Sequence, residues 1–144
     1  GQPGDVYFMS NMVDNPLEYA RDIVGKDPMA VFLGINVDEA KEGYARCSVT
    51  VKPEYLNAVE RAHGSIIHAV ADQAFAVACN SMGSLGIALS MTLNYLAGAS
   101  DGEKIFAEAM PVHTGRKIST WRLEGRGVND TLIASGESIA YHKS

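Results

Sequence analysis

Between Arg61 and Asp101 the only formally charged side chain is Asp72. It sits in a run from Gly64 to about Ser81 that Ala, Ile, Val and Phe fill nearly all round, the composition of a helix buried on most faces. The polar positions of this run, Ser65, His68, Asp72 and Gln73, recur at three- and four-residue spacing and share one stripe, which small Ala76 continues. A carboxylate on such a helix has to be paired, hydrogen-bonded or neutralised, because desolvating a lone charge is costly. Reaction sites are where that cost tends to be tolerated. A structural Asp72, bonded to nearby backbone or to His68, is the other reading, and the stripe alone leaves both open.

His63-Gly64 opens the same helix. Glycine there lets a ligand approach the backbone closely, and its N–H is among the donors that a helix start leaves without an intrahelical partner. A helix N-terminus also favours negative charge, such as develops on a carbonyl oxygen under attack. A simple N-terminal turn explains the pair equally well when it is taken alone. Asp72 lies eight positions beyond Gly64, a rise of roughly 12 Å on a helix. One reacting carbonyl does not span that distance. If both groups act on one atom, they come from two subunits whose helices lie antiparallel, so this reading requires at least a dimer.

Other chemistries have weaker support. His63, His68 and Asp72 lack the tighter pairing and further ligand of a zinc site. No nucleophile elbow, phosphate-cradling glycine loop or dinucleotide fingerprint is present. Cys79 reads as a small core residue. Basic residues gather late, at Lys104, Arg116, Lys117, Arg122 and Arg126, either as solvated strand ends or as a landing site for the phosphates of a bulky anion. Met9, Met12, Tyr55, Leu56 and Phe75 are plain core or the lining of an apolar pocket.

The elements that must position these groups can be read from period and punctuation. Asp14 to Val24 reads as a short helix, capped by Asn15, opened by Pro16 and ended by Gly25. Val31, Leu33, Ile35 and Val37 alternate with less apolar positions and predict a strand, Asp38 to Gly43 a turn, and Ala45 to Val51 the returning strand, closed by Pro53. Residues 53–62 read as a loop leading into the long helix, which Gly83 and Gly86 end. Four extended runs follow, Ile87 to Leu96, Glu103 to His113, Ile118 to Arg126 and Thr131 to His142, separated by turn residues. In the first, Ile87, Leu89, Met91, Leu93 and Tyr95 are predicted to share one face. The order predicts an α+β fold, an antiparallel sheet with a four-strand meander wrapped around one long helix. Residues 1–144 read as a single domain, with 1–29 as an N-terminal extension and short helix.

At 144 residues the chain has the length of one domain with a real core, and 47% hydrophobic against 20% charged residues excludes a disordered segment. A net charge of -5 argues against nucleic acid as partner. Two cysteines make neither a disulfide framework nor a zinc site, which suits a reducing cytoplasm. The longest apolar stretch is broken by His68, Asp72 and Gln73, so no membrane span is expected. No signal peptide is read at the start, and Gly1 in place of an initiator Met is taken as a processing scar.

Leu56-Asn57, His63-Gly64, Ala71-Asp72, Ala74-Phe75-Ala76 and Ala78-Cys79-Asn80-Ser81 together resemble the hotdog-fold acyl-CoA thioesterases of the phenylacetate-degradation (PaaI-like) type. Ala107-Glu108-Ala109, Val112-His113 and Gly115-Arg116-Lys117 resemble that family's fourth strand and its turn. The likeness covers roughly Val31 to His142. It implies a hotdog dimer, paired into a tetramer, that hydrolyses acyl-CoA with no metal and no cofactor beyond the coenzyme A of the substrate. By position, Asp72 becomes the general base or nucleophile, Gly64 the N–H donor to the thioester carbonyl with His63 beside it, and Asn57 the residue that orients water. Ser65 replaces a second glycine that the family commonly has, and could still offer its N–H and a hydroxyl. Gln73 replaces a small residue and is expected to narrow or re-aim the acyl pocket. Ser65, His68, Gln73, Arg116 and Lys117 are the expected substrate contacts. A hotdog-fold hydratase or dehydratase using His68 with Asp72, and a non-catalytic acyl-CoA-binding module, remain as alternatives. Thiol release from a panel of acyl-CoAs separates the three.

Overall fold

The computed structural model describes residues 14–143. Met9 and Met12 therefore lie outside the described residues. Helical turns over 16–26 precede α1 (Pro28–Leu33), β1 (Asn36–Lys41), β2 (Tyr44–Thr50), α2 (Gly64–Cys79), β3 (Leu85–Tyr95), β4 (Lys104–Thr114), β5 (Ile118–Arg126) and β6 (Leu132–Lys143). The strands form one antiparallel sheet in the order β1-β2-β4-β5-β6-β3. The α+β architecture, with one long helix against one sheet, is as the sequence predicts.

Three local readings are corrected. Asn15 stands at the helix start without a side-chain cap bond, and the turns run past Gly25 to Lys26. The alternating run from Val31 is not a strand. Asp27 caps α1 by accepting the Ala30 N–H at 2.9 Å, Pro28 takes the first turn, and Gly34 ends the helix in the left-handed region at φ 74°. Cap chemistry overrides a short period-two pattern here. β1 consequently starts at Asn36 and runs through the segment read as a turn, leaving Glu42-Gly43 to reverse the chain.

The predicted four-strand meander is a three-strand one. β3 does not pair with β4; it crosses to the far edge and pairs with β6, while β2 pairs with β4. The predicted single face of β3 is also broken. A bulge between Ala88 and Ser90 shifts the phase, so Ile87 pairs with outward-facing Tyr141, whereas Met91, Leu93 and Tyr95 pair with Ser138, Gly136 and Ala134 and face the helix layer.

α2 packs chiefly on β2 and β4. Val70, Ala74, Phe75, Val77 and Ala78 are buried against Cys47, Val49, Ile105, Ala107, Trp121 and Leu123, with Phe75 and Trp121 edge to face at 6.3 Å. The helix continues as a 3₁₀ turn over Asn80–Met82, matching its predicted end. At that end a buried histidine, His142, is held between the Ser84 and Ser119 hydroxyls at 2.9 and 2.6 Å, and burial lowers its pKa. Among the described residues no helix is long and apolar enough to cross a membrane.

Candidate active site

The start of α2 is built by the loop before it. The Asn57 side-chain oxygen accepts the Val59 and Arg61 N–H groups, both at 3.0 Å, which leaves its amide NH₂ as a donor. Ala62 N–H is held by the Ala99 carbonyl and His63 N–H by the Tyr55 carbonyl, both at 2.8 Å. His63 is extended at φ -63°, ψ 142°, and its Nδ1 accepts the Ser65 N–H at 3.0 Å as the helix cap. The neutral ring then carries its proton on Nε2. That bond also corrects one expectation: the Ser65 N–H is occupied and is no second donor for a carbonyl. Gly64 N–H alone among the two stays open, with no acceptor among the described residues.

Gly64 is also covered. A Cβ there would stand 3.1 Å from the Tyr95 ring, which lies over the helix start from the end of β3. The open face of α2 descends from this point through Ser65, His68, Ala69, Asp72 and Ala76, each exposed or half-buried while the rest of the helix is buried. This is the predicted stripe without Gln73. Gln73 faces inward at 7% exposure and donates its amide to the Val24 carbonyl at 2.7 Å. Its bulk anchors the N-terminal turns and does not face the open stripe.

Asp72 accepts no hydrogen bond and makes no ion pair among the described residues, so the structural reading, a carboxylate tied to backbone or to His68, is not what the fold contains. Part of its side chain is open to solvent, yet the protein atoms around it raise its pKa by desolvation. His68 pulls the pKa down, and Asp27, pinned as the α1 cap, pushes it up. The result is a free carboxylate with raised proton affinity, suited to taking a proton. The two thiols are unsuited to nucleophilic attack: Cys47 and Cys79 are buried and pushed up to about 12. Among the described residues no three His, Cys, Asp or Glu side chains come together as a metal site.

The basic residues separate. Arg122 and Arg126 pair with Glu124 at 3.2 and 3.3 Å on the outer face of the sheet. Arg116 and Lys117 are exposed in the turn between β4 and β5. That turn lies at the end of the sheet where Gly86 pairs with His142, whereas Gly64 lies at the end where Tyr95 pairs with Ala134. Strand rise alone puts these ends ~30 Å apart.

One feature went unread in the sequence. α1 lies beside the open stripe and closes a cleft of ≈ 320 Å³ against it, lined by Met29, Leu33, Tyr55, Leu56, Ile66 and Ala69, with His63 and Ser65 at one side. Tyr55 and Leu56 belong to it, as one reading had it, while Phe75 is core at 1% exposure. Leu33 was hidden by the misread strand, and Met29 by the reading of 1–29 as an extension.

A sheet curled on one helix, with a free carboxylate and an open N-terminal N–H on that helix, defines a class that the comparisons specify. The family model described as the thioesterase superfamily matches residues 60–134, and the chain belongs to that family, in its PaaI-like hotdog branch. An Archaeoglobus fulgidus protein is 38% identical over 92% of this chain and 84% of its own. The acyl-coenzyme A thioesterase PaaI of Escherichia coli is 34% identical over 68% of this chain and 70% of its own. The solved structure of E. coli PaaI superposes with a TM-score of 0.85, covering 92% of this chain and 96% of that one at 26% identity. The chain is thus a thioester hydrolase by family.

Proposed function

We propose that this protein hydrolyses acyl-CoA thioesters to the free acid and coenzyme A, with Asp72 of one copy acting on a carbonyl held at the α2 N-terminus of a second. The observation that carries this is the Asp72 carboxylate, on the same open helix face as the Gly64 N–H, with neither group hydrogen-bonded among the described residues. The carbonyl oxygen accepts the Gly64 N–H, and the helix N-terminus favours the charge that builds there, an effect typically worth about 10²–10³-fold per donor. Asp72 takes a proton from water as it adds to the carbonyl carbon, or adds itself to give an anhydride that water opens. In the first course the C–S bond breaks as the adduct collapses, and the proton taken from water passes to the departing thiolate; in the second it breaks as the anhydride forms, the thiolate takes its proton from solvent, and water then opens the anhydride to the free acid and the Asp72 carboxylate. A positioned base contributes about 10²–10⁴-fold. Asn57, its oxygen committed to the loop, offers its NH₂ to the water, and His63 holds the cap that keeps Gly64 presented.

The two-copy arrangement is supported by β3. Among the described residues it is an unpaired sheet edge of eleven residues on which Leu89 is 58% and Ile87 45% exposed, the kind of edge that pairs with another chain. A two-fold pairing along it is antiparallel. The α2 helices then lie side by side, and the Arg116-Lys117 turn of one copy reaches the Gly64 end of the other, where it can meet CoA phosphates. A homodimer, doubled to a tetramer, is the assembly proposed. His68 and Ser65 line the same face as substrate contacts.

Thiol release from a panel of acyl-CoAs tests the reading. Coenzyme A should be freed by the wild type and at least a hundredfold more slowly by Asp72→Asn of unchanged size. A change in the acyl chain without thiol would mark a hydratase, and binding without either a non-catalytic module. Near wild-type rates in Asp72→Asn would sink the mechanism.

A further inference from the structure

We infer that a recess around Phe106, on the outer face of the sheet, is a second ligand site that takes a phosphate monoester of sugar-phosphate size. The inference goes beyond the proposed hydrolysis and does not depend on it. Ala45, Cys47 and Val49 face the core, so Arg46 and Ser48 stand on the outer face of β2. Ile105 and Ala107 likewise turn Lys104, Phe106 and Glu108 outward on β4. α2, with Asp72 and Gly64, packs on the opposite face. Arg46, Lys104, Phe106, Glu108 and Arg126 line a recess of ≈ 390 Å³, closed on one side by the turn 127–130. That volume lies within the range of small-molecule sites, roughly 300 to 1,000 Å³.

The cations of this recess carry the assignment. Arg46 is in register with Glu108, yet the Glu108 carboxylate accepts the Tyr44 hydroxyl at 2.6 Å and forms no ion pair with Arg46. The Arg46 guanidinium lies 5.7 Å from the Phe106 ring centroid, and Lys104 Nζ lies 5.6 Å from it. Neither cation is paired with an acid among the described residues. Arg126 differs. It donates to the Asp130 carbonyl at 3.0 Å and pairs with Glu124 at 3.3 Å, which fixes the turn as a wall. Among the described residues two buried side-chain polar atoms have no hydrogen-bond partner, Arg46 Nε and Ser48 Oγ. Both belong to this face, and Ser48 is in register with Phe106. Buried donors are nearly always satisfied, and a guanidinium presents a fork that matches phosphate oxygens. Two unneutralised cations fit the charge of a phosphate monoester at neutral pH, about -1.5 to -2. Glu108 and Asp130 at the rim accept from sugar hydroxyls and oppose a second phosphate.

Calorimetry on the full chain with ribose 5-phosphate, ribose and inorganic phosphate tests the site. Ribose 5-phosphate should bind saturably and more tightly than inorganic phosphate, and ribose should not bind. Arg46→Met keeps the aliphatic contact with Phe106 and should weaken ribose 5-phosphate about tenfold, the loss expected for a charge-assisted hydrogen bond. Lys104→Gln, on an exposed side chain, should do the same and carries the test if Arg46→Met fails to fold. Lys143→Gln removes an exposed cation at the far end of β6 and should leave the affinity unchanged. Saturating ribose 5-phosphate should also leave KM for acyl-CoA unchanged. Absence of binding, an equal loss in Lys143→Gln, or affinity untouched in both Arg46→Met and Lys104→Gln overturns the site. Competition with acyl-CoA overturns it as well, because the recess would then belong to the thioester substrate. If no acyl-CoA is cleaved, the proposed function fails, and calorimetry still decides this site.

Discussion

Asp72 combines three properties that a structural carboxylate does not: no hydrogen bond among the described residues, partial exposure and a raised pKa. Raised proton affinity in the folded state has a definite sign. The group favours folding below its ordinary 3.8 and costs stability as pH rises through the raised value. At neutral pH the ionised side chain is a net cost. Asp72→Asn should therefore melt at the same or a slightly higher temperature at pH 7 while losing turnover, and calorimetry beside the thiol assay checks both. The acid limb of kcat/KM should fall above the ordinary carboxylate range and vanish in the variant. Asn57 has two roles that one substitution separates. Asn57→Asp keeps the oxygen that accepts from Val59 and Arg61 and deletes the NH₂. It should fold like the wild type and lose about tenfold in turnover; full activity would leave Asn57 a loop residue only.

At the scale of elements, the start of α2 is where loop, helix and strand meet. The His63 cap, the Tyr55 and Ala99 carbonyls and the Tyr95 ring hold it from three sides. Gly64→Ala would place a methyl 3.1 Å from the Tyr95 ring. Because Tyr95 is half exposed, the ring can swing away, so the variant should fold with a stability loss below about 1 kcal/mol. Its turnover should fall at least tenfold, because the methyl and the displaced ring crowd the approach to the N–H. Unchanged turnover in folded Gly64→Ala would remove the helix start from the mechanism. α1 is the element whose misreading mattered most, since its Met29 and Leu33 build the cleft.

For the whole molecule, the β3 edge and the far placement of Arg116 and Lys117 point the same way. One copy keeps these cations ~30 Å from its own Gly64 along the strand direction, and the antiparallel second copy of the proposed dimer would bring them near. Leu89→Lys, a charge on an exposed edge, should shift sedimentation to the monomer and abolish turnover together. Activity in a clean monomer would overturn the shared site. Arg116→Ala and Lys117→Ala should raise KM for acyl-CoA with kcat held, since a phosphate contact stabilises ground and transition states alike. The penalty should shrink with salt, as exposed charges are screened within about 10 Å at 0.1 M. A penalty of equal size on a short thioester lacking the nucleotide would mean that neither side chain meets the phosphates.

The sequence by itself determined the long helix, its start at His63-Gly64, the isolation of Asp72 and the α+β class, because these rest on period, punctuation and charge within a few neighbouring residues. It misjudged 31–35, where a period-two pattern lasting a few residues competes with an Asp-Pro start and a glycine stop that favour helix. Only the tertiary structure decided which strands pair, since β3 crosses past β4 to reach β6 and nothing local encodes a partner. It alone turned Gln73 inward to Val24 and closed the Ser65 N–H with His63. It alone set α1 against the stripe to make a cleft, because a cavity is a property of surfaces brought together from Met29 to Ala69.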